Sequence, residues 1–153
     1  MRHPLSTCIA AATLATVVSL SAIAAVKPET AIKYRQGIYH AMGWNFGPMT
    51  DMVRGKAPFD QADFAKRAKR IEFYSQQLLE GFPPGSDKGA KTDAKPEIWQ
   101  DFDDFKAKLS DFQDAAANLA STAAQGDEAA SKKAFMATAK SCKACHKEYR
   151  KDD

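Results

Sequence analysis

Two cysteines and a histidine near the C-terminus have a spacing that suits a metalloporphyrin. The run Cys142-Lys143-Ala144-Cys145-His146 is a C-x-x-C-H motif, the pattern of covalent haem attachment. Residues three and four apart share one face of a helix, so both thiols can reach the vinyl groups along one porphyrin edge. His146 projects over the same ring and can ligate its iron. The motif therefore predicts one haem c, attached covalently through Cys142 and Cys145 and ligated by His146.

Other uses of the two cysteines agree less well with the sequence. A thioredoxin-like redox pair requires a strand followed by a helix, and no strand pattern surrounds the motif. A structural zinc site requires four ligands, whereas the motif supplies three, and His40 would be a fourth at no recognisable spacing. A disulfide between Cys142 and Cys145 would close too short a loop to stabilise the chain much. Haem attachment is therefore the leading interpretation.

A leader precedes the helical part of the chain. After a short basic start, an apolar run begins at Ile9 and ends in the small-x-small sequence Ala22-Ile23-Ala24. A transmembrane anchor is the alternative, but a run of about 17 residues containing Ser and Thr is marginal for crossing a bilayer. We therefore predict a cleaved secretory signal over residues 1–24. Residues 25–153 would then be a periplasmic domain without membrane association.

The rest of the chain contains four segments with apolar residues at alternating spacings of three and four, which is typical of amphipathic helices. Pro48 should kink the first helix without ending it. Asp60 is a favourable N-cap for the second, and Pro96 is tolerated at the start of the third. The fourth segment carries the haem motif. The predicted fold is all-α, an antiparallel up-down-up-down four-helix bundle, with helices over about 32–53, 60–81, 96–125 and 127–149.

Charge and composition argue against two classes of function. The chain has 22 Lys and Arg residues against 19 Asp and Glu residues, so the basic excess is too small to indicate nucleic-acid binding. No acid–base constellation is visible apart from the haem motif, and we therefore do not expect an enzyme.

The first helix should supply the other side of the haem, since its apolar face carries two unusual residues. Arg35 either extends its head to solvent or pairs with a haem propionate, for which arginine is well suited. Tyr39 is either a core residue with a bonded hydroxyl or a group that blocks the open iron position. A methionine could instead be a sixth ligand and make a low-spin electron carrier. Spacing leaves four methionine candidates open: Met42, Met49, Met52 and Met136.

The chain resembles the cytochrome c' family over residues 27–151. The resemblance is carried by the haem motif with the following Tyr149-Arg150, and by Tyr34-Arg35-Gln36 and Met42-Gly43-Trp44-Asn45 in the first helix. The run Pro96-Glu97-Ile98-Trp99 adds to it. A haem motif at the C-terminal end is itself distinctive, because ordinary small cytochromes c carry it near the N-terminus.

The resemblance implies a five-coordinate haem and a role for five further residues. Arg35 matches the family's propionate arginine, and Arg150 matches the arginine beside the ligating histidine. Tyr39 occupies the position of the residue that crowds the iron, where low-spin relatives place a ligating methionine. Met42 matches a residue that lines the pocket without ligating, and Trp99 is also expected at the cofactor.

Two functions follow from the resemblance. The first is a periplasmic protein with a high-spin haem that binds NO and CO, buffers or transports NO, and is capable of electron transfer. The alternative is a six-coordinate, low-spin electron carrier with a methionine as sixth ligand. The resemblance also implies a homodimer formed through the first and second helices.

Overall fold

The computed structural model describes residues 26–151, so the proposed signal lies outside the described residues. The fold is all-α, as predicted, and the described residues form no strand beyond a single bridge between Ala94 and Arg150. No helix in this range is long and apolar enough to cross a membrane. The helices are α1 (Pro28–Val53), α2 (Gln61–Ser75), a single turn α3 (Glu97–Gln100), α4 (Phe102–Ala124) and α5 (Glu128–Tyr149).

The four long helices form an antiparallel bundle in chain order. α1 packs on α2, α2 on α4, and α4 on α5, whereas α1 and α5 approach closely at few points. Their contact includes Phe46 of α1 and Phe135 of α5, whose ring centroids are 4.4 Å apart. Pro48 lies within α1, which continues to Val53 as predicted. The bundle is therefore closed between α1 and α5 near these rings, and a cavity lies between the two helices further along.

Three aspartates begin the other long helices. Asp60 accepts a hydrogen bond from the Asp63 amide, and Asp127 accepts one from the Ala130 amide. The third helix was predicted to run without interruption from Pro96. It does begin there, but it is interrupted at Asp101, which the sequence did not indicate. That residue leaves helical geometry and caps the amide of Asp104, so the long helix begins at Phe102.

The second helix also ends earlier than predicted. α2 stops at Ser75, and a short 3-10 helix, Leu79–Gly81, carries the chain back against α1. A Cβ at Gly81 would lie 2.7 Å from the Cβ of Arg35, so a larger side chain does not fit there. This close approach brings the connection between Gly81 and α3, residues 82–96, onto the end of the bundle that carries Arg35.

The buried residues form two hydrophobic clusters. The larger runs through the bundle between α1, α2, α4 and α5. The smaller consists of Phe82, Ile98, Phe105 and Tyr149, with Cys145 packed against it. Phe105 stands edge-on to Tyr149 at 5.4 Å between ring centroids. The smaller cluster lies at the end of α5 that carries the C-x-x-C-H motif.

Candidate haem-binding site

A cavity of about 420 Å³ lies between α1 and the C-terminal part of α5, and the connection before α3 borders it. Its size is within the range typical of ligand sites. Apolar and aromatic side chains make up much of the wall, and polar groups come from α1 and from the connection. The lining residues are Arg35, Gln36, Tyr39, His40, Phe82, Thr92, Asp93, Ala94, Ile98, Phe105, Cys145, His146, Tyr149 and Arg150.

The helix α5 brings two of the three motif residues to the cavity wall. Cys145 and His146 line it, while Cys142, one turn earlier, packs against the larger core cluster. Both cysteines are free thiols and only partly buried. The Tyr149 hydroxyl donates a hydrogen bond to Asp104 Oδ2 of α4 at 2.5 Å. This bond joins the end of α5 to α4. It therefore helps to fix the orientation of the motif side chains relative to the bundle.

Backbone hydrogen bonds join the end of α5 to the connection. The Lys95 amide donates to the Tyr149 carbonyl at 2.9 Å, and the Lys151 amide donates to the Asp93 carbonyl at 2.8 Å. These bonds satisfy backbone groups at a helix terminus that have no partner within the helix. They also explain how Asp93, in a segment without helical periodicity, comes to lie beside the haem motif.

Burial sets the protonation state of the motif residues. It raises the pKa of the Cys142 thiol to about 11, with the nearby Cys145 as a second cause, and it raises the pKa of Cys145 to about 11. Burial also lowers the pKa of His146, and the charge of Arg150 adds to this effect. At neutral pH the thiols therefore keep their protons, and the imidazole is neutral, the form that ligates a metal.

Arg35 is fully buried, at 2 % exposed, and lies in the cavity wall. Its guanidinium donates to the carbonyls of Gly81 at 3.0 Å and Ser86 at 2.8 Å. It also donates to the hydroxyls of Ser86 and Thr92, both at 3.0 Å. The alternative in which Arg35 extends its head to solvent is therefore wrong.

The same guanidinium lies against two aromatic rings. Its central carbon is 4.8 Å from the centroid of Phe82 and 5.4 Å from that of Trp99, within the range of cation–π attraction. The Trp99 indole donates to the Pro83 carbonyl at 3.0 Å. Trp99 does not line the cavity, and it contacts the site through Arg35. Burial lowers the pKa of Arg35, which remains a cation at neutral pH.

Tyr39 faces the motif from α1, one turn beyond Arg35. It lines the cavity and is 36 % exposed. Burial of the phenol hydroxyl raises its pKa, and Cys145 and Cys142 add to this effect. The structure thus brings together five of the predicted site residues: Arg35, Tyr39, Cys145, His146 and Arg150.

The methionines lie elsewhere. Met42 is 8 % exposed and belongs to the larger core cluster, as do Met49 and Met52. Met136 is 59 % exposed on the outer side of α5. No methionine among residues 26–151 lines the cavity.

Several cavity residues were not predicted from the sequence. His40 is exposed but also lines the cavity, and Gln36 lines it while donating to the Lys91 carbonyl at 3.0 Å. Ile98 and Phe105 were visible only as members of an apolar helical face. Thr92 belongs to the connection before α3. The sequence of that segment has no apolar periodicity, so no residue in it could be predicted to face the cavity.

The donor set and the wall fit a covalently bound haem. Two thiols and a neutral imidazole stand on adjacent turns of α5, and aromatic and aliphatic side chains suit the porphyrin faces. The buried cation of Arg35 keeps an Nε–H beyond its four hydrogen bonds, and Arg150 adds a second cation at the wall. The Arg35 guanidinium suits a carboxylate of haem. A four-helix bundle with this site at the end of its last helix defines a c-type cytochrome of the bundle class.

Comparison with known proteins gives the family. A sequence model described as Cytochrome C' matches residues 30–150. Cytochrome c' from Alcaligenes xylosoxydans xylosoxydans is 42 % identical over 125 residues, covering 82 % of this chain and 96 % of the relative. The chain therefore belongs to the cytochrome c' family, and its cofactor is haem c.

Solved structures agree with this assignment. Cytochrome c prime from Shewanella frigidimarina superposes with a TM-score of 0.79 at 48 % identity, covering 82 % of this chain and 98 % of that one. A nitric oxide complex of a point mutant of cytochrome c prime from Alcaligenes xylosoxidans superposes with a TM-score of 0.77 at 41 % identity, covering 84 % and 98 %. The predicted bundle fold and haem c cofactor are confirmed.

Proposed function

We propose that this chain is a periplasmic haem c protein whose iron is five-coordinate and high-spin, and which binds NO and CO. It would buffer or transport NO and would be capable of electron transfer. The observation that carries the proposal is the composition of the wall opposite His146. Tyr39 lies there, and no methionine of residues 26–151 does. The spin state of the ferric iron tests the proposal, because a methionine opposite the histidine would make the iron low-spin.

Each site residue would have its own role. Cys142 and Cys145 would hold the haem through thioether bonds, each formed when an S–H group adds across a vinyl double bond. His146 would be the only protein ligand of the iron, and the haem itself supplies the metal that binds the gas. Tyr39 would stand over the open position and restrict what enters. Arg150 would lie beside the ligating histidine.

Nitric oxide as a ligand is supported by the relatives. A structure of the Alcaligenes xylosoxidans protein contains nitric oxide, and that protein shares this fold and 41 % of the aligned residues. CO would bind the same open position in the ferrous protein. No further acid or base is proposed to act on a bound gas, so the chain is proposed to be a binding protein and not an enzyme.

The alternative function remains a six-coordinate, low-spin electron carrier. Met42 lies on α1 one turn after Tyr39, which favours it over the other methionines as a sixth ligand. Its side chain is buried in the larger core cluster, however, so ligation would require it to leave that cluster.

Two further parts of the proposal concern location and assembly. The leader over residues 1–24 would direct the chain to the periplasm, where haem attachment would occur, and would be removed. A homodimer would form through α1 and α2. Trp44 on α1 is 76 % exposed and Phe73 on α2 is 62 % exposed, and large apolar side chains at this exposure support a contact surface.

Arg35→Leu is expected to lower the reduction potential of the haem. A positive charge beside the haem stabilises the reduced iron, so its loss should shift the potential downward by roughly 60 mV, a tenfold change in a one-electron equilibrium. Redox titration followed by absorbance measures the shift. Ser86→Ala is the matched control, because it removes one of the hydrogen bonds of Arg35 and leaves the charge in place. An unchanged potential in Arg35→Leu would mean that Arg35 only anchors the connection.

A further inference from the structure

The outer face of α5 carries a row of five exposed side chains, four of which are lysines. Its members follow one another at alternating spacings of three and four residues, so they form a single stripe along the helix. The stripe is about 21 Å long, from the rise of 1.5 Å per residue over its length. We define the α5 basic ridge as Lys133, Met136, Lys140, Lys143 and Lys147, all of which are exposed.

α5 carries four lysines without an ion pair, all on the ridge, whereas no other helix within residues 26–151 has more than two Lys or Arg residues without one, such as Lys69 and Arg70 of α2. The ion pairs on α2, on α4 and in the first turns of α5 join residues three or four apart, as between Lys132 and Glu128. None of the four ridge lysines has a carboxylate partner within residues 26–151. Lys140, Lys143 and Lys147 instead stand three and four residues from one another, a like-charge arrangement that destabilises a helix.

Helix stability does not account for this arrangement. Cations in the last turn of a helix are favourable because of the helix dipole, and Lys147 lies in that turn of α5. The effect falls off beyond one turn, so it does not reach Lys133 or Lys140. The unpaired charge is therefore retained against a local cost, as expected when its partner is outside the chain.

The ridge lies on the helix that carries the haem-binding residues. Lys143 stands between the two motif cysteines in the sequence, and Lys147 follows His146. Only the thickness of α5, about 10–12 Å with side chains, separates a molecule on the ridge from the cavity. Met136 adds an exposed apolar group, 59 % accessible, and methionine is enriched in protein interfaces.

We propose that the α5 basic ridge is the docking surface for an acidic protein that exchanges electrons with the haem. The inference rests on the electron-transfer part of the proposed function. A protein fits better than a membrane, because α5 buries its apolar face in the bundle and offers a bilayer only one apolar side chain on the ridge. The short, charged stripe suits a transient electron-transfer contact, which lies at the small end of interface sizes.

The test measures how fast reduced flavodoxin, a small acidic one-electron donor, reduces the ferric holoprotein in stopped flow. One electron passes from the flavin to the ferric iron, which becomes ferrous, and no bond is made or broken. Wild-type protein should react with a second-order rate that falls as salt is added, because opposite charges accelerate encounter and salt screens them. A rate without salt dependence would overturn the proposal.

Charge reversal on the ridge gives the specific result. Lys133→Glu with Lys140→Glu leaves the haem motif intact and should slow the reaction at low salt about tenfold. Lys56→Glu with Lys69→Glu is the matched control, because it makes the same change in net charge at exposed positions outside α5 and should stay within about twofold of wild type. Lys133→Gln with Lys140→Gln should give an intermediate rate. Equal slowing by the two double-Glu variants, or no slowing by the ridge variant, would overturn the proposal.

Two further measurements separate the sources of failure. Hexaammineruthenium(II), a small cationic reductant, should reduce wild type and the ridge variant at rates that differ less than about threefold. If neither donor reduces the wild-type haem, the electron-transfer part of the proposed function fails together with the docking surface.

Sedimentation with phosphatidylglycerol vesicles should leave the wild-type protein in solution. Binding to vesicles that the ridge variant loses would overturn the protein partner in favour of a membrane surface.

Discussion

Tyr39→Ala is expected to strengthen CO binding to the ferrous protein by about five- to thirtyfold. The ring stands in the wall that faces the motif, so a ligand on the iron must displace it. Full burial of a large side chain is worth roughly 1.5–3 kcal/mol, and a ring that is 36 % exposed should contribute about two-thirds of that. Since each 1.4 kcal/mol is about tenfold in affinity, removal of the ring should raise the affinity for CO by the corresponding factor. Titration of the reduced protein with CO, followed by absorbance, gives the affinity.

The same obstruction should lower the affinity for NO and for CO by a similar factor, because the ring must move for either gas. NO bonds to ferrous iron much more strongly than CO, so it should still bind tightly. Tyr39→Phe is the matched control, because it keeps the ring and removes only the hydroxyl, and its CO affinity should resemble that of wild type. A CO affinity of Tyr39→Ala within about twofold of wild type would mean that another residue closes the position, with Met42 and Phe46 the nearest candidates on α1.

Replacement of both cysteines of the motif is expected to abolish covalent haem attachment altogether. Thioether bonds survive acid–acetone extraction, whereas a haem held only by its iron ligand and packing does not. The wild-type chain should therefore show one added haem in its mass and keep it through extraction. Cys142→Ser with Cys145→Ser should yield an apoprotein mass after the same treatment. A product made without residues 1–24 and kept in the cytosol should also lack covalent haem.

Lys143→Ala provides the control for this experiment. It lies between the two cysteines and has no carboxylate partner within residues 26–151, so it should retain the haem. Extraction of the haem from wild-type protein by acid–acetone would contradict the proposed attachment through Cys142 and Cys145.

The elements that the sequence predicts best are those with a strong periodic signal. The apolar face of α5 and the spacing of the motif placed Cys145 and His146 on one side of a helix, and the structure puts both at the cavity. The break in the third helix at Asp101 was not predicted, because the apolar face continues across it through Ile98 and Phe102. Periodicity reports which face is buried, but it does not reveal that the side chain of Asp101 starts a new helix.

The hydrogen bonds of Arg35 lay beyond sequence reasoning for a different reason. Its acceptors are Gly81, Ser86 and Thr92, which are 46 to 57 residues away along the chain. They belong to a connection without periodicity, whose path depends on the close approach of Gly81 to α1. The charge at an apolar position indicated a special role, and only the folded chain identifies the neutral groups that satisfy it.

The most direct test of the central claim is the electron paramagnetic resonance spectrum of the ferric protein at neutral pH. The proposed site has His146 as its only protein ligand and Tyr39 over the open position, so the iron should be five-coordinate and the spectrum high-spin. Met42→Leu should leave that spectrum unchanged. A low-spin spectrum of the wild-type protein that becomes high-spin in Met42→Leu would contradict the account and make the methionine-ligated electron carrier the correct function.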